Sequence, residues 1–201
     1  MTERPARRGS YHHGSLPEAL VTAALEVLDE AGSDAVGMRE VARRAGVSAG
    51  APFRHFADRQ ALLTALADRV LADFARWQLA AAGEGDGRSA MRAVGLGVVR
   101  YVLRHPHRFE LLRSRVFASS WQPELRERLS GIDAALTCFI VADQEAGLLK
   151  PGDPELVGLA GQALVYGLAQ MIIDGYLPPE KAEELAVQVL DTFGQGIANR
   201  P

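Results

Sequence analysis

Apolar positions recur along this chain at spacings of three and four, the period of a helix with one buried face. In the first such segment Leu20, Ala24, Val27, Leu28 and Ala31 share a face. The stretch Ser15-Leu16-Pro17-Glu18 before it is a capping box with proline in the first turn, and Gly32 after it is a stop. A short helix from Met38 to Ala45 is expected next, with Gly37 as its cap and Gly46 as the left-handed residue that ends it. Ser48 is placed to cap another short helix reaching about His55. Asp58 is placed to cap a long one reaching about Ala82, with Leu63, Leu66, Val70, Phe74 and Trp77 on one face. Further helices are predicted at about 89–104, 106–119, 122–147, 154–176 and 179–198, separated by Pro106, Pro123, Pro151, Pro154, Pro178 and Pro179. No β-branched run alternates with period two, so the predicted fold class is all-α. The clearest linker is "AAGEGDGRS" at 81–89. The chain divides into a small N-terminal three-helix unit, residues 14–74, and a larger helical body, residues 75–201.

One stretch breaks the pattern. "RRAGVSAGAPFRHF", residues 43–56, places Gly46, Gly50 and Pro52 among good helix formers. Gly46 to Gly50 also fits the G-x-S-x-G of a hydrolase nucleophile elbow. That elbow needs a preceding strand to lift the serine above a sheet. Here "MREVARRA" precedes it, with Val41, Ala42 and Ala45 at helical spacing, so an activated Ser48 is not expected. A helix-turn-helix accounts for all three breakers. Gly46 makes the bend, Val47 fills the angle between the helices, and Ser48 caps the second helix. Ala49, Gly50 and Ala51 have almost no side chain, so the start of that helix can come close to DNA and turn its N–H groups on phosphate. Pro52 falls where few intrahelical bonds exist to lose.

Composition changes this picture little, but charge distribution sharpens it. The chain has 201 residues, is 48% hydrophobic and carries a net charge of −3, so it is not a polyelectrolyte binder overall. Basic residues gather in two places. Arg4, Arg7 and Arg8 lie in the first fifteen residues, and Arg39, Arg43, Arg44, Arg54 and Arg59 lie around the helix-turn-helix. The rest is mildly acidic, and a basic patch on such a body directs an anion to one face. Cys138 is the only cysteine, which excludes an internal disulfide. "MTERPARRGSYHHGS" has no apolar core of a secretory signal, and no uninterrupted apolar run reaches the roughly 18–20 residues of a membrane span. A cytoplasmic protein with no membrane partner is expected.

The stretches "YHHGSLPEALVTAALEVLDEAG" and "GMREVARRAGVSAGAPFRHFADRQALLTALAD" resemble the DNA-binding domain of the tetracycline-repressor (TetR) family of bacterial transcription regulators. The resemblance covers about residues 11–74, while "YVLRHPHRFELLRSRVF" is similar to part of one branch of its ligand-binding domains. It implies a homodimer that binds a double-stranded palindromic operator, usually as a repressor, with no catalytic residue and no cofactor. By position, Ala49 and Gly50 would lie near base edges. Phe53, Arg54 and His55 would meet the sugar-phosphate backbone, with Arg39, Ser48 and Ala51 completing the interface within residues 37–56. Two positions depart from the family: Phe53 stands where tyrosine is common, and Gly37 where serine or threonine is common. The alternative reading is a small helical enzyme or ligand carrier acting through a cavity in the body.

In that body Tyr101, Phe109, Phe117, Trp121 and Phe139 are candidates to line a cavity for a small, mostly apolar effector, against an ordinary core role. Arg113 is a further candidate, with Glu110 as its expected partner if it is buried. His12 and His13, and likewise His105 and His107, lack the further ligands a metal site would need, so no metal is expected. The arm holding His12 and His13 is either a DNA-contacting arm or a plain tail, and His105-Pro106-His107 reads as a structural joint. Cys138 reads as a small core residue. Small residues at helical spacing, Ala160, Ala163 and Gly167 and then Ala186, Gly194 and Ala198, suggest that residues 154–198 form the dimer interface. Val157, Leu164, Leu168, Val189, Leu190 and Phe193 would add apolar area. The helix at 58–82 would be the only continuous element joining cavity to reading head.

Overall fold

The computed structural model describes residues 15–83, 89–115 and 123–197. Among them are α1 (Leu16–Ala31), α2 (Met38–Arg44), α3 (Arg59–Gly83), α4 (Ala90–Arg104), α5 (Pro106–Arg115), α6 (Pro123–Glu145), α7 (Pro154–Ile173) and α8 (Pro179–Ile197), with single 3-10 turns at Ser33–Ala35 and Pro52–Arg54. No strand occurs among the described residues, so the all-α expectation holds. Local chemistry sets the helix starts. The Ser15 N–H donates to Glu18 Oε2 at 3.2 Å, the Ala61 N–H to Asp58 Oδ1 at 2.8 Å, and the Glu155 N–H to Asp153 Oδ1 at 2.9 Å. Each carboxylate satisfies a donor that the first helical turn leaves without a partner. Gly46, at φ +70°, ends α2 as its position predicts.

The expected helix from Ser48 to His55 does not form. Pro52 has no N–H to give to the Ser48 carbonyl, so an α-helical bond cannot close there. Instead the Ala51 N–H takes Ser48 O at 2.9 Å, Arg54 takes Ala51 O at 3.2 Å, and His55 takes Pro52 O at 3.0 Å. The result is a chain of tight turns. Ser48 acts through its carbonyl rather than as a side-chain cap.

The apolar stripe of α1 is buried at Leu20, Ala23, Ala24, Val27 and Leu28, whereas Ala31 is exposed beside the stop at Gly32. These side chains meet Val36 and Val41 and the first turns of α3, Leu62, Leu63 and Leu66, in one apolar cluster. The cluster continues without a break into the body. Phe74 packs edge-on to Tyr101 at 5.0 Å and to Phe109 at 6.2 Å, so the expected boundary at residue 74 falls inside both α3 and the core. Helix α4 is central, packed between α3, α7 and α8. Of the linker at 81–89, residues 81–83 extend α3 and 84–88 lie outside the described residues.

Two expectations about the body are corrected. Cys138 is exposed, because α6 turns Ile140 inward and leaves Cys138 on another side of the helix. Ala186 and Leu190 are buried within this chain, in the cluster that contains α4 residues, so they do not offer a surface to a second copy. Helix α7 is the one described helix long and apolar enough to cross a membrane, with a mean hydropathy of 1.7. Glu155, Gln162 and Gln170 interrupt it, and its buried residues pack inside the body.

Gly97 marks the closest approach of α3 and α4. A Cβ there would lie 2.6 Å from the Ala81 Cβ, and the Gly97 carbonyl accepts from Trp77 Nε1 at 2.7 Å. Neither partner is the flexible end of a side chain. Gly97→Ala should therefore cost about 1–3 kcal/mol despite alanine's better helix propensity, read as a lowered thermal midpoint. A stabilised protein would show that the two helices separate freely.

Candidate nucleic-acid interface and pocket

The surface around the turn at residues 46–55 is built by exclusion. Ala51 and Pro52 point into the core, and Ala51 is 8% exposed. Ser48, Ala49, Gly50, Phe53, Arg54 and His55 are left outside, with Phe53 56% exposed. Seven of the eight residues expected at this face, Arg39 on α2 included, are exposed, and Ala51 is turned inward. The N–H groups of Ala49 and Gly50 have no acceptor among the described residues. A Cβ on Gly50 would meet nothing within 4 Å.

The five arginines of this region separate into two groups. Arg43 forms a two-bond pair with Glu40 at 2.8 and 2.6 Å, and Arg44 does the same with Glu30 at 2.5 and 2.7 Å. Those guanidiniums hold the Glu30 and Glu40 carboxyls below their ordinary range. Arg59 donates to the carbonyls of Val36 and Ser33 at 2.8 and 2.6 Å, tying α3 to the loop before α2. Arg39 and Arg54 are exposed and make no ion pair among the described residues. Arg54 lies in the turn itself and Arg39 in the first turn of α2. The Arg43–Glu40 pair was visible as an i,i+3 spacing, while the Arg44–Glu30 pair needed the fold.

Helix α5 reaches back to this head. Arg108 donates to both carboxylate oxygens of Asp29 in α1, at 2.7 and 2.6 Å, and lies 3.8 Å from Asp73 of α3. His107 packs against Gly32, where a Cβ would stand 3.3 Å from its Nδ1. His105 ends α4 by donating its N–H to Tyr101 O at 2.7 Å, and its ring lies 5.2 Å from that of Tyr101. Burial lowers the His105 pKa and pushes the Tyr101 hydroxyl up to about 12, with Arg108 opposing the latter. Thus α3 is not the only route between body and head. No cluster suited to a metal ion occurs among the described residues.

A pocket of about 1120 Å³ lies in the body between α3, α4, α5, α6, α7 and α8. Phe109 and Phe139 line it as expected. Tyr101 does not: it is 2% exposed and packed behind the wall against Phe74 and Trp77. Arg113 is not in the lining either, and its Nε is buried without a hydrogen-bond partner among the described residues, Glu110 included. Phe117 and Trp121 lie outside the described residues. Sequence reasoning missed Phe74, Gln78, Val98 and Tyr166, which also line the pocket. Phe74 was legible only as a helix-face residue, and nothing local marks the others.

Comparison with known proteins adds three findings. The profile of bacterial regulatory proteins of the tetR family matches residues 20–66, and that of the tetracyclin repressor-like C-terminal domain matches residues 91–193. The class D tetracycline repressor protein of Escherichia coli is 35% identical over 88 residues, a segment spanning 44% of this chain and 40% of that protein. Among solved structures, a protein of unknown function from Rhodococcus sp. RHA1 is 30% identical, with a TM-score of 0.82, over 94% of this chain and 98% of its own. A TetR family transcription regulator from Marinobacter aquaeolei VT8 shares the fold, with a TM-score of 0.68 at 20% identity over 92% of this chain and 96% of its own.

Proposed function

The chain belongs to the tetR family of bacterial regulatory proteins, and from that premise we propose that it is a homodimeric cytoplasmic repressor, released from a palindromic operator by a small, mostly apolar ligand. The observation that carries this reading is the exposed face at Ser48–His55. A nearly bare backbone at Ala49 and Gly50 is exposed, as are Arg39 and Arg54, which make no ion pair among the described residues. Such a surface can approach base edges closely while the cations hold phosphate. It suits recognition of a duplex, in keeping with a chain that acts by binding.

Two heads read one face of a duplex only when held about 34–36 Å apart, one helical turn. The exposed apolar side of α7, with Leu156 64% and Leu159 62% exposed beside Ala160 and Ala163, supplies a surface that a second copy would cover. Signal transfer has two routes. Helix α3 carries Phe74 and Gln78 at the pocket and Leu62 and Leu66 beneath the head. In α5, Phe109 lines the pocket while its neighbour Arg108 grips Asp29 of α1. A ligand that moves either helix changes the separation of the two heads, and a coupling of about 1–3 kcal/mol gives roughly 5- to 150-fold release.

Selection of bound fragments from random duplex DNA tests this reading, and the expected product is an inverted repeat. A protein that enriches no sequence contradicts it. On the selected duplex, Arg54→Ala should weaken binding about equally on operator and unrelated DNA. It should also make the salt dependence of affinity shallower by about one phosphate contact. A loss confined to the operator would assign Arg54 to base reading instead.

A further inference from the structure

Charge on the pocket wall narrows what fills it. The charged lining residues are Arg92, Asp133 and Asp191. Arg92 of α4 donates to Asp191 of α8, and those two charges cancel. Asp133 of α6 is left over. Its Oδ1 accepts from the Gln162 side-chain amide of α7 at 2.7 Å, and that neutral donor orients the carboxylate without neutralising it. Asp133 makes no ion pair among the described residues. The positions one turn away on its own helix, Leu129, Ser130, Leu136 and Thr137, carry no cation. The lining therefore holds one negative charge in excess and no spare positive one.

Placement decides what that charge can do. Asp133 is exposed although it lines the pocket, so it stands at the mouth, whereas Phe109 and Val98 line the interior and are buried. A carboxylate at a mouth can pair with a cation while both keep part of their water. The pair then avoids the desolvation cost of a fully buried one. An anion there would meet only repulsion. Resting on the regulator reading above, we propose that the effector is a cationic amphiphile. Its protonated amine pairs with Asp133 at the mouth, and its apolar body runs inward against Phe109, Phe139 and Val98. Asp133 is the residue that selects a cation over neutral or anionic molecules of the same skeleton, and Gln162 holds it in position.

The experiment uses the full chain and three ligands that share one four-ring skeleton and differ in charge: 1-pyrenemethylamine, 1-pyrenemethanol and 1-pyrenecarboxylate. Binding is read at neutral pH as loss of tryptophan emission by energy transfer to the pyrene. Trp77 packs against Tyr101 behind the pocket wall and serves as donor. At low salt the amine should bind roughly fivefold more tightly than the alcohol, as fits an ion pair near the surface, and the carboxylate more weakly than either. Added salt should shrink the amine's advantage. Asp133→Asn keeps an acceptor for the Gln162 amide and should bring the amine down to the alcohol, with the alcohol's own affinity unchanged. Glu180→Gln removes one exposed negative charge from a residue that is not in the lining, and should leave the amine's advantage intact. Equal binding of amine and alcohol, an advantage that survives Asp133→Asn or is lost equally in Glu180→Gln, preference for the carboxylate, or no binding of any of the three would overturn the proposal. Operator binding measured on the same samples keeps the two readings apart. Absence of the amine preference with operator binding intact removes only the effector chemistry. The expected charge order in a protein that selects no duplex removes only the regulator reading.

Discussion

Gly50→Leu should abolish sequence-selective DNA binding, with a loss on the order of 10³-fold or more, while the protein melts close to the wild type. The magnitude follows from what is removed: specific binding exceeds non-specific binding by roughly 10³–10⁷, and a leucine here would hold the turn away from the base edges. The fold has no reason to respond. Gly50 is exposed, its φ is outside the left-handed region, and an added Cβ would meet nothing within 4 Å. Gly46 is the matched control. It is also free of contacts, but at φ +70° a leucine would strain the backbone and lower the melting temperature. Fluorescence anisotropy on the selected duplex, together with a thermal melt, separates the two substitutions. Normal operator affinity in a folded Gly50→Leu protein would move the reading surface elsewhere.

Leu156→Glu should convert the proposed dimer to monomer at micromolar concentration and reduce operator affinity by at least about 100-fold. Leu156 is 64% exposed, so the substitution leaves the monomer core untouched. In a dimer it would bury a carboxylate without a partner, a penalty of several kcal/mol. Operator binding falls for a separate reason: two linked heads share one association event, and unlinked heads bind half-sites singly. Sedimentation equilibrium reads the first effect and anisotropy the second. A dimer that survives the substitution would place the interface on another face.

How much of this was legible beforehand depended on the range of the interaction. Helix starts at Ser15, Asp58 and Asp153 and the stop at Gly46 follow from side chains one to four residues away, and they lie where the pattern put them. The turn at 48–55 was read at the same range and misread. Ser48 in a capping position pointed to a helix start, but the missing N–H of Pro52 outweighed it and left a 3-10 turn. Its outward face survived the error, because Ala49, Gly50 and Arg54 are exposed in either geometry while Ala51 is not.

The amino-acid sequence by itself determined the all-helical class, the order of the helices and the position of the exposed turn after α2, because hydrophobic period, caps and prolines act within a few residues. Only the tertiary structure decided which charges are spent and which are free. Arg44 is neutralised by Glu30, fourteen residues earlier on another helix, and Arg108 is taken by Asp29, seventy-nine residues earlier. The same holds for the pocket. Phe109 lines the cavity and Tyr101 stands behind it, although both are aromatics in helical patterns. Periodicity marks a side chain as facing inward, but whether it meets a neighbour or an open space depends on how helices distant in sequence cross.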